Sequence, residues 1–520
     1  MLDKNKVKLG IAPIAWTNDD MPDLGGEITF EQCVSEMALA GYKGCEIGNK
    51  YPKTVEGMHE YLDIRGLEIA NRWFSSFILT KPFEEVEKVT LEFADLFRFP
   101  TPALIEKLLY HPETAKDQQE AMELDNLDYS GISELLSGNV IHEYDVSKKL
   151  LGNVLLIGVT GFLGIHILTE LLKHPEICDT IYCLARSKDD SSAEERVSSM
   201  LFYYAECDLN EYLGSKIEVL EGDIVEEGIF TKPFDGKIQT VINSAASVAH
   251  FAYDDKLRKI NIGGTENLLK FCKKQDAMMV HISTISVGGV YPKDEPVHEF
   301  HENDFYEGQQ IHNEYIYTKY MSEYVTFRAA IDEGIRFKMI RIGNLQGRLS
   351  DGEFQVNGKF NAFSRSISSY VKMGFVPESL YQSEVNFSPV DEVARMIVAL
   401  VQTTEELNVF HVYPPEDISY KQLFEALRLI GRDTEIVSEE EFSKRVDELG
   451  KSKRGKKILE GILLEKPNVE YKDAVVYNEY TVDLLGKMGY TWNRVTDDYL
   501  NQYFSILDMF QMYDEEEADV

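Results

Sequence analysis

The chain has 520 residues, 44% of them hydrophobic and 27% charged, a balance typical of a soluble globular protein with more than one domain. Its formal net charge of -36 argues against nucleic acids and anionic membrane surfaces as partners. No apolar run is long enough to cross a bilayer, the N-terminus shows no apolar signal core, and no two cysteines form a Cys-x-x-Cys pair. We therefore expect a cytoplasmic protein with free thiols and no metal site.

Residues 1–88 alternate between apolar strands and amphipathic helices. The predicted strands lie at 9–16, 44–48 and from 67 onward, and the predicted helices at 30–40 and 55–64. Strands that alternate with helices in this way predict a parallel sheet.

Two sequence motifs in this first segment carry a family resemblance. They are LGIAPIAWTNDD at residues 9–20 and GNKYP at residues 48–52. They resemble the start of inosose dehydratases, members of a sugar-isomerase-like barrel family. The resemblance ends near Lys88, after about three of the eight strands that such a barrel needs. Because the family's metal-binding carboxylates lie in the missing portion, we expect an incomplete barrel-like fragment and assign it no activity.

Residues 89–111 contain a proline loop followed by a leucine-rich amphipathic stretch. They resemble the closing loop and last helix of a peptidyl carrier domain, although an ordinary amphipathic helix explains the residues almost as well. The Asp-Ser-Leu or Asp-Ser-Ile word whose serine takes phosphopantetheine is absent upstream. Residues 112–150 are polar and acidic, and we expect a linker with short helices.

From residue 151 the alternation becomes regular and predicts a doubly wound parallel sheet. Strands are expected near 153–157, 180–185, 217–221, 240–243, 278–282 and 337–342, with helices that include 264–274 and 315–331. We expect this Rossmann core to cover about 151–400. Residues from about 345 to 385 and from about 410 to 520 are expected to build a smaller substrate subdomain.

A glycine loop joins the first strand of this core to its first helix, in the G-x-x-G-x-x-G pattern of dinucleotide sites. Gly158 permits the tight turn, Gly161 lets the backbone approach a pyrophosphate, and Gly164 lets the helix pack on the strand. The pyrophosphate would lie at the helix N-terminus, where free N–H groups and the helix dipole favour an anion. The predicted cofactor-binding residues here are Gly158, Thr160, Gly161, Phe162, Leu163 and Gly164.

The second strand distinguishes between the two nicotinamide dinucleotides. An NAD enzyme usually carries Asp or Glu about 20 residues beyond the glycines, whereas this strand ends at Arg186. A guanidinium suits a 2′-phosphate, so NADPH is favoured, and Arg196 could add a second charge. Arg186 could instead be an exposed loop cation.

The ends of the third and fourth strands complete the predicted cofactor site. Asp223 could accept a hydrogen bond from the adenine amino group, and Ile224 follows it. Small side chains after the fourth strand would let the cofactor pass close by, at Ser244, Ala245 and Ala246.

Three residues form the predicted catalytic set. Tyr315 and Lys319 are spaced i, i+4 and so share one face of a predicted helix. A free tyrosine has a pKa of about 10, and a nearby ammonium lowers that value, so we expect Lys319 to lower the pKa of Tyr315. Lys319 could also hold the nicotinamide ribose. Thr284, at the end of a strand, would hydrogen-bond the substrate oxygen as negative charge builds on it.

Residues 150 to about 500 resemble extended short-chain dehydrogenases/reductases, specifically the thioester reductase domains that end nonribosomal peptide synthetases. The sequence motifs that carry the resemblance are the glycine loop, NIGGT at 261–265, STISV at 283–287, YIYTK at 315–319, RIGNLQGR at 341–348 and SPVDEVA at 388–394. The family often has proline where Ile342 stands. The carrier-like residues 89–111 add support, because such reductases commonly follow a carrier domain.

The resemblance implies NADPH-dependent reductive release of an acyl or peptidyl thioester held on the phosphopantetheine of a carrier domain. Thr284 and Tyr315 would stabilise the oxyanion, Tyr315 would donate the proton, and the product would be an aldehyde or, after a second hydride, an alcohol. Three alternatives remain open. A nucleotide-sugar epimerase or dehydratase of the same extended group is disfavoured by Arg186, and a non-catalytic NADP-binding regulator usually lacks the Tyr or the Lys. The third is a metal-dependent sugar dehydratase activity of residues 1–88.

Overall fold

The structure is a computed structural model that describes residues 9–13, 16–17, 28–48, 50–52, 61–72, 124–137, 146–188, 191–227, 234, 236–246, 256–356, 358, 361–404, 408–463 and 471–513. The chain divides into two compact units, Met1–Ala115 and Lys116–Val520. The carrier-like residues 89–111 and most of the predicted helix 55–64 lie outside the described residues. Within the described part of the chain, no helix is long and apolar enough to cross a membrane.

The first unit contains a small parallel sheet. Its strands are β1 (Gly10–Ile11), β2 (Gly44–Ile47) and β3 (Glu68–Arg72), in the order β1-β2-β3. Helix α1 (Phe30–Leu39) begins at Thr29, whose hydroxyl accepts a hydrogen bond from the Gln32 amide at 3.2 Å. One face of α1 is buried in the core of this unit and includes Phe30, Cys33, Val34 and Met37. The predicted parallel arrangement of this segment is confirmed.

The second unit is built on a parallel sheet of seven strands. The strands are β4 (Gly152–Ile157), β5 (Cys178–Ala185), β6 (Ile217–Glu221), β7 (Ile238–Asn243), β8 (Met278–Thr284), β9 (Phe337–Ile342) and β10 (Val409–Val412). Their order in the sheet is β10-β9-β8-β7-β4-β5-β6. The strand order reverses between β4 and β7, and in open parallel sheets ligands bind in the crevice beyond the strand ends at such a point. The doubly wound fold predicted from the sequence is confirmed.

The helices of the second unit cover both faces of the sheet and build the region beyond it. They are α2 (Ile132–Leu136), α3 (Phe162–Lys173), α4 (Ala193–Ala205), α5 (Gly264–Gln275), α6 (Glu314–Glu333), α7 (Ala362–Met373), α8 (Val390–Leu400), α9 (Tyr420–Leu429), α10 (Glu439–Leu449), α11 (Lys453–Leu463), α12 (Glu479–Lys487) and α13 (Asp497–Met509). Short helical turns occur at Lys256–Arg258, Lys259–Gly263, Ile285–Gly288 and Glu378–Tyr381. Short strand pairs join Val290–Pro292 to Tyr471–Asp473, Glu299–Phe300 to Val475–Val476, Leu345–Gln346 to Ser388–Pro389, Phe375–Pro377 to Glu435–Val437, and Glu384–Val385 to Ile418–Ser419.

Alternate residues of the central strands enter two separate cores. Val154 and Leu156 of β4 pack with α3, α4 and α8, whereas Leu155 and Ile157 pack with α2, α5 and α6. Burial on both faces is why these strands are almost continuously apolar. A third core lies in the C-terminal region and is formed by α7, α9, α13 and their neighbours.

The seventh strand was not predicted. We placed the end of the Rossmann core near residue 400 and the substrate subdomain beyond about 410, but β10 (Val409–Val412) pairs with β9 at the edge of the sheet. Helix α12 also belongs to this core, through Leu484 and Leu485. The strand is only four residues long and contains His411, so its apolar pattern was too short to recognise.

The predicted linker 112–150 contains a packed segment. Leu124, Ile132 and Leu136 are each at most 3% exposed and belong to the core beneath α6. The Tyr320 hydroxyl of α6 donates to the Tyr129 hydroxyl at 2.9 Å. The backbone of the segment contributes too, because the Asp128 amide donates to the Tyr324 hydroxyl at 3.2 Å. We call residues 124–137 the docked segment: it contains the short helix α2, as expected for residues 112–150, and it packs against α6.

Candidate active site

The glycine loop closes tightly against the ends of two neighbouring strands. Gly158 has φ +80°, and a Cβ there would lie 2.6 Å from the Ala245 nitrogen. A Cβ on Gly164 would lie 2.1 Å from the Gly158 oxygen, and one on Gly161 would lie 3.0 Å from that oxygen. The turn at Gly158 and the close packing at Gly164 are therefore as the sequence predicted. Gly161 offers no side-chain cap to α3, which leaves the first amides of this helix suited to an anion.

Two residues of the loop turn their side chains into the protein. The Phe162 ring packs edge-on against His166 and Phe354, with ring centroids 5.1 and 5.5 Å apart. Leu163 is 7% exposed and belongs to the sheet core. Phe162 and Leu163 were predicted to bind the cofactor, but these packed side chains leave that role to their backbone.

Arg186, Arg196 and Thr160 lie together at the end of β5. The Arg196 guanidinium donates to the Arg186 carbonyl and, at 3.4 Å, to the Thr160 hydroxyl. Arg186 Nη1 donates to Asp223 Oδ2 at 3.1 Å, so two predicted cofactor residues pair with each other. The Arg186 side chain is 60% exposed, and an ion pair this exposed contributes only about 0–1 kcal/mol. A dianionic phosphate could therefore replace the Asp223 carboxylate.

The residues after β6 and β7 are held by packing and by hydrogen bonds to neighbouring elements. Ile224 is 5% exposed and packs against Gly264, where a Cβ would lie 2.5 Å from its Cδ1. The Ser244 hydroxyl donates to the Ile157 carbonyl at 2.7 Å, and the Ala245 amide donates to Asn243 Oδ1 at 3.2 Å. These bonds hold Ser244 and Ala245 beside the glycine loop, and Ala246 follows them in the chain. The tight glycine loop, the uncapped helix and the arginines fit a dinucleotide.

The three predicted catalytic residues come from β8 and α6. Thr284 ends β8, where its hydroxyl accepts from the Ser286 amide at 3.2 Å and donates to the Ser286 hydroxyl at 3.2 Å. Tyr315 is in the first turn of α6, and Lys319 follows one turn later. Helix α6 packs against both β8 and the turn at 285–288. Lys319 is 3% exposed, and its ammonium donates to the Ile282 carbonyl, two residues before Thr284. Lys319 therefore joins the helix of Tyr315 to the strand of Thr284.

The protonation of Tyr315 differs from the expectation. Burial raises the pKa of Tyr315 to about 12. Burial lowers the pKa of Lys319 to about 8, although the nearby Glu323 charge opposes this shift. The predicted lowering of the Tyr315 pKa is wrong because loss of solvent around the phenol outweighs any effect of the ammonium. A phenol that stays protonated is still suited to donate a proton.

Asn261 and Arg341 lie in two of the motifs that carry the family resemblance, but neither residue was assigned a role from the sequence. Asn261 Nδ2 donates to the Thr318 hydroxyl at 2.9 Å, and the Asn261 carbonyl accepts from the Ser322 hydroxyl at 2.8 Å. It thereby fixes α6 next to Tyr315 and Lys319. Arg341 is buried beneath the same helix and paired with Glu323. A buried arginine in the strand Phe337–Ile342, which also holds the buried Lys338, was the available signal, because such charges need partners.

Comparison with known proteins agrees with the fold that carries this candidate site. An NAD-binding family described as male sterility protein matches residues 156–397. A thiolation-reductase di-domain from an archaeal nonribosomal peptide synthetase is 35% identical, with a TM-score of 0.67 over 75% of this chain and 82% of that chain. The reductase domain of the aureusimine biosynthetic cluster is 25% identical, with a TM-score of 0.63 over 73% of this chain and 97% of that chain.

The N-terminal segment matches different proteins. The inosose dehydratase of Clostridium perfringens strain 13 is 66% identical over 91 residues, which are 18% of this chain and 31% of that protein. That of Geobacillus thermodenitrificans is 68% identical over 85 residues, 16% of this chain and 28% of that protein. The chain thus spans less than a third of these dehydratases, and both sequence resemblances are confirmed. Behind this barrel-like fragment, the chain belongs to the reductase-domain family of nonribosomal peptide synthetases, oxidoreductases with the extended short-chain dehydrogenase/reductase fold and a nicotinamide dinucleotide site.

Proposed function

We propose that this protein uses NADPH to release an acyl or peptidyl group, as an aldehyde, from its thioester with the phosphopantetheine of a carrier domain. The observation that carries the proposal is the contact of Lys319 with the Ile282 carbonyl. It sets the helix of Tyr315 against the strand that ends at Thr284, beside the dinucleotide crevice. The 35% identity to a thiolation-reductase di-domain supports a carrier-bound thioester as the substrate.

The preference for NADPH is supported by Arg186 and Arg196. Both follow β5, where an NAD enzyme usually presents a carboxylate to the ribose. The Arg196 guanidinium is oriented by the Thr160 hydroxyl and the Arg186 carbonyl. Among the described residues, the Arg186 side chain is held by an exposed pair with Asp223, so it can turn to a 2′-phosphate at small cost.

A bound NADPH would supply hydride to the thioester carbonyl carbon. The Thr284 hydroxyl would donate a hydrogen bond to the carbonyl oxygen as it becomes negative, and the Tyr315 phenol would donate a proton to it. The resulting hemithioacetal then loses its C–S bond, the phosphopantetheine thiol leaves with a proton, and the carbonyl re-forms as an aldehyde. Reduction of that aldehyde to an alcohol would need a second hydride.

Product analysis tests this function. The full chain is mixed with NADPH and a short acyl thioester of pantetheine, and NADPH oxidation is followed while a hydrazine reagent traps aldehyde. We expect thioester-dependent oxidation with one aldehyde per NADPH, and a much slower reaction with NADH. Absence of thioester-dependent oxidation with either nucleotide would contradict the proposal. Turnover of a nucleotide sugar without net NADPH consumption would favour the epimerase alternative instead.

A further inference from the structure

The chain between Thr284 and Tyr315 is long and has little secondary structure of its own. We call residues 285–313 the connecting segment. It contains one helical turn and two short strands, at Ile285–Gly288, Val290–Pro292 and Glu299–Phe300. Ordering a long loop costs conformational entropy, and such loops are uncommon in compact domains. Contacts with other parts of the chain must therefore hold this segment, and with it the two site residues at its ends.

A segment from the C-terminal part of the chain pairs with both of these short strands. We call residues 471–478 the strap. Its residues Tyr471–Asp473 pair with the first strand, and Val475–Val476 pairs with the second. Between the two pairs, the Ala474 amide donates to the Gly289 carbonyl at 3.2 Å. The strap thus holds the connecting segment through backbone hydrogen bonds.

The strap also reaches the residues just before Tyr315. Val290 pairs with the strap on one side and with Gln310 on the other. The Tyr471 ring lies against the His312 ring, with the two centroids 5.0 Å apart. His312 precedes Tyr315 by three residues. The strap is therefore connected to the start of α6, where Tyr315 lies.

The edge of the sheet holds the strap in turn. The Tyr413 hydroxyl donates to the Val476 carbonyl at 2.8 Å, and His411 Nδ1 of β10 donates to the Tyr477 carbonyl at 2.6 Å. The buried Phe300 ring of the connecting segment stacks on the His411 imidazole, with centroids 5.8 Å apart. The strap and the connecting segment are thus fixed to the same edge strand.

Helix α12 follows the strap, and the connecting segment caps its N-terminus. The first amides of a helix have no partner within it, and the side chain of the preceding residue usually supplies one. Asn478 makes no such bond. Instead, Glu302 Oε1 accepts from the Thr481 amide at 3.0 Å and from the Thr481 hydroxyl at 2.7 Å. The same hydroxyl oxygen accepts from the His411 amide at 2.9 Å. Glu302 and Thr481 are at most 3% exposed, so water does not compete for these bonds.

We propose that Thr481 is a positioning residue for the reduction: through its bonds to Glu302 it fixes the connecting segment, and so the relative placement of the two hydrogen-bond donors at the ends of that segment. Those donors, Thr284 and Tyr315, act on one substrate oxygen in the proposed function, on which this inference rests. A misplacement of about 1 Å caused by a distant substitution can cost about 100-fold in rate. Hydrogen bonds remote from the chemistry therefore control it here.

The test uses Thr481→Val in the full chain, which keeps the shape of the side chain and removes its hydroxyl. Valine cannot donate to Glu302 or accept from His411, so the connecting segment should open more often. We expect its amide hydrogen exchange to become about tenfold faster, the factor that corresponds to one lost buried hydrogen bond. The kcat for a pantetheine thioester should fall by about 10–100-fold while the KM for NADPH stays unchanged. Thr481→Ser, which keeps the hydroxyl, should restore both exchange and kcat.

Thr240→Val provides the matched control. Thr240 is also a buried threonine, but its hydroxyl donates to the Leu151 carbonyl at 2.8 Å, towards the amino end of the sheet. This variant should lose stability without changing kcat or exchange in the connecting segment. Tyr413→Phe is a milder second test, because it removes one bond to the strap and leaves Glu302 paired. It should change exchange and kcat in the same direction as Thr481→Val, by a smaller factor.

Hydrogen exchange separates this inference from the proposed function, because it requires no turnover. Faster exchange in Thr481→Val, in a protein that reduces no thioester, would contradict the proposed function and leave the hold of Thr481 on the connecting segment in place. Unchanged exchange, or faster exchange with an unchanged kcat, would overturn the positioning role even in an active enzyme. Effects of equal size in Thr240→Val would overturn it as well.

Discussion

The two units of this chain differ in a way that percentage identity does not reveal. The first unit holds a stretch 66% identical to an inosose dehydratase, yet it spans only 31% of that protein, and its described residues form three parallel strands and one small core. The second unit is 35% identical to a thiolation-reductase di-domain, yet it contains a complete seven-stranded sheet with helices on both faces. An active site needs residues from several strand ends at once, and only a whole sheet supplies them. Completeness of the fold, rather than closeness of sequence, therefore indicates where activity lies.

The largest expected effect tests whether the reductase unit alone carries the chemistry. Tyr315→Phe removes the proposed proton donor and should lower kcat by about 10²–10⁴-fold, the usual contribution of a general acid. NADPH affinity, measured by fluorescence, should persist. Tyr317→Phe is the matched control on the same helix and should leave kcat unchanged. Full activity in Tyr315→Phe would remove this residue from the mechanism.

The second test concerns where the reductase unit begins. Leu136 in the docked segment is 1% exposed, and Leu136→Ala should lower the free energy of unfolding by about 2–5 kcal/mol. Leu150 is 76% exposed, so Leu150→Ala should change that free energy by less than about 0.5 kcal/mol. Urea unfolding of both variants measures the difference. Equal free energies of unfolding for the two variants would show that residues 124–137 are an unpacked linker.

The third test examines the cofactor end of the reductase unit. Arg186→Ala removes a cation proposed to bind the 2′-phosphate, and a hydrogen bond to a charged group contributes about 1.5–3 kcal/mol. The KM for NADPH should therefore rise by at least tenfold while the KM for NADH stays the same. Steady-state kinetics with both nucleotides gives the answer. A parallel rise for NADH would point to a structural role through Asp223.

The smallest expected effect tests whether the first unit takes part in the reaction. Deletion of residues 1–115, at the boundary between the two units, should leave kcat and KM for the thioester unchanged. The deleted part contains no residue of the proposed site and only a fraction of a barrel. Product analysis beside the full chain measures this. A marked loss of activity would show that the first unit contributes to the reaction.

Much of the second unit was predictable because its signals are local. The glycine loop combines a strand, three glycines and a helix within twelve residues, and β6 and β9 have the bounds expected from their apolar runs. The docked segment was missed because Leu124, Ile132 and Leu136 are scattered through a polar stretch. Its burial depends on a surface of α6 that lies far away in sequence.

In the candidate site, too, features set by neighbouring residues in the sequence were predictable, and contacts between residues far apart in the sequence were not. The residues Thr284, Tyr315 and Lys319 follow from strand ends and helical spacing. The pairing of Arg186 with Asp223 joins residues that are 37 positions apart, and only the neighbouring strands β5 and β6 bring them together. The pKa of Tyr315 depends on how deeply α6 packs, which spacing along the helix does not report.

The docked segment also sets the point at which any preceding chain joins the second unit. Its Tyr129 stacks on Tyr306 at 4.5 Å, and Arg328 of α6 donates to the Ser130 carbonyl at 2.9 Å. Any chain that precedes residue 124 therefore joins the second unit beside α6, the helix that bears Tyr315. It does not join at β4, which begins at residue 152. The reach of any domain joined in front is measured from that point beside α6. Under the proposed function, each residue added or removed before position 124 would change the length of chain between the site and a carrier domain joined in front.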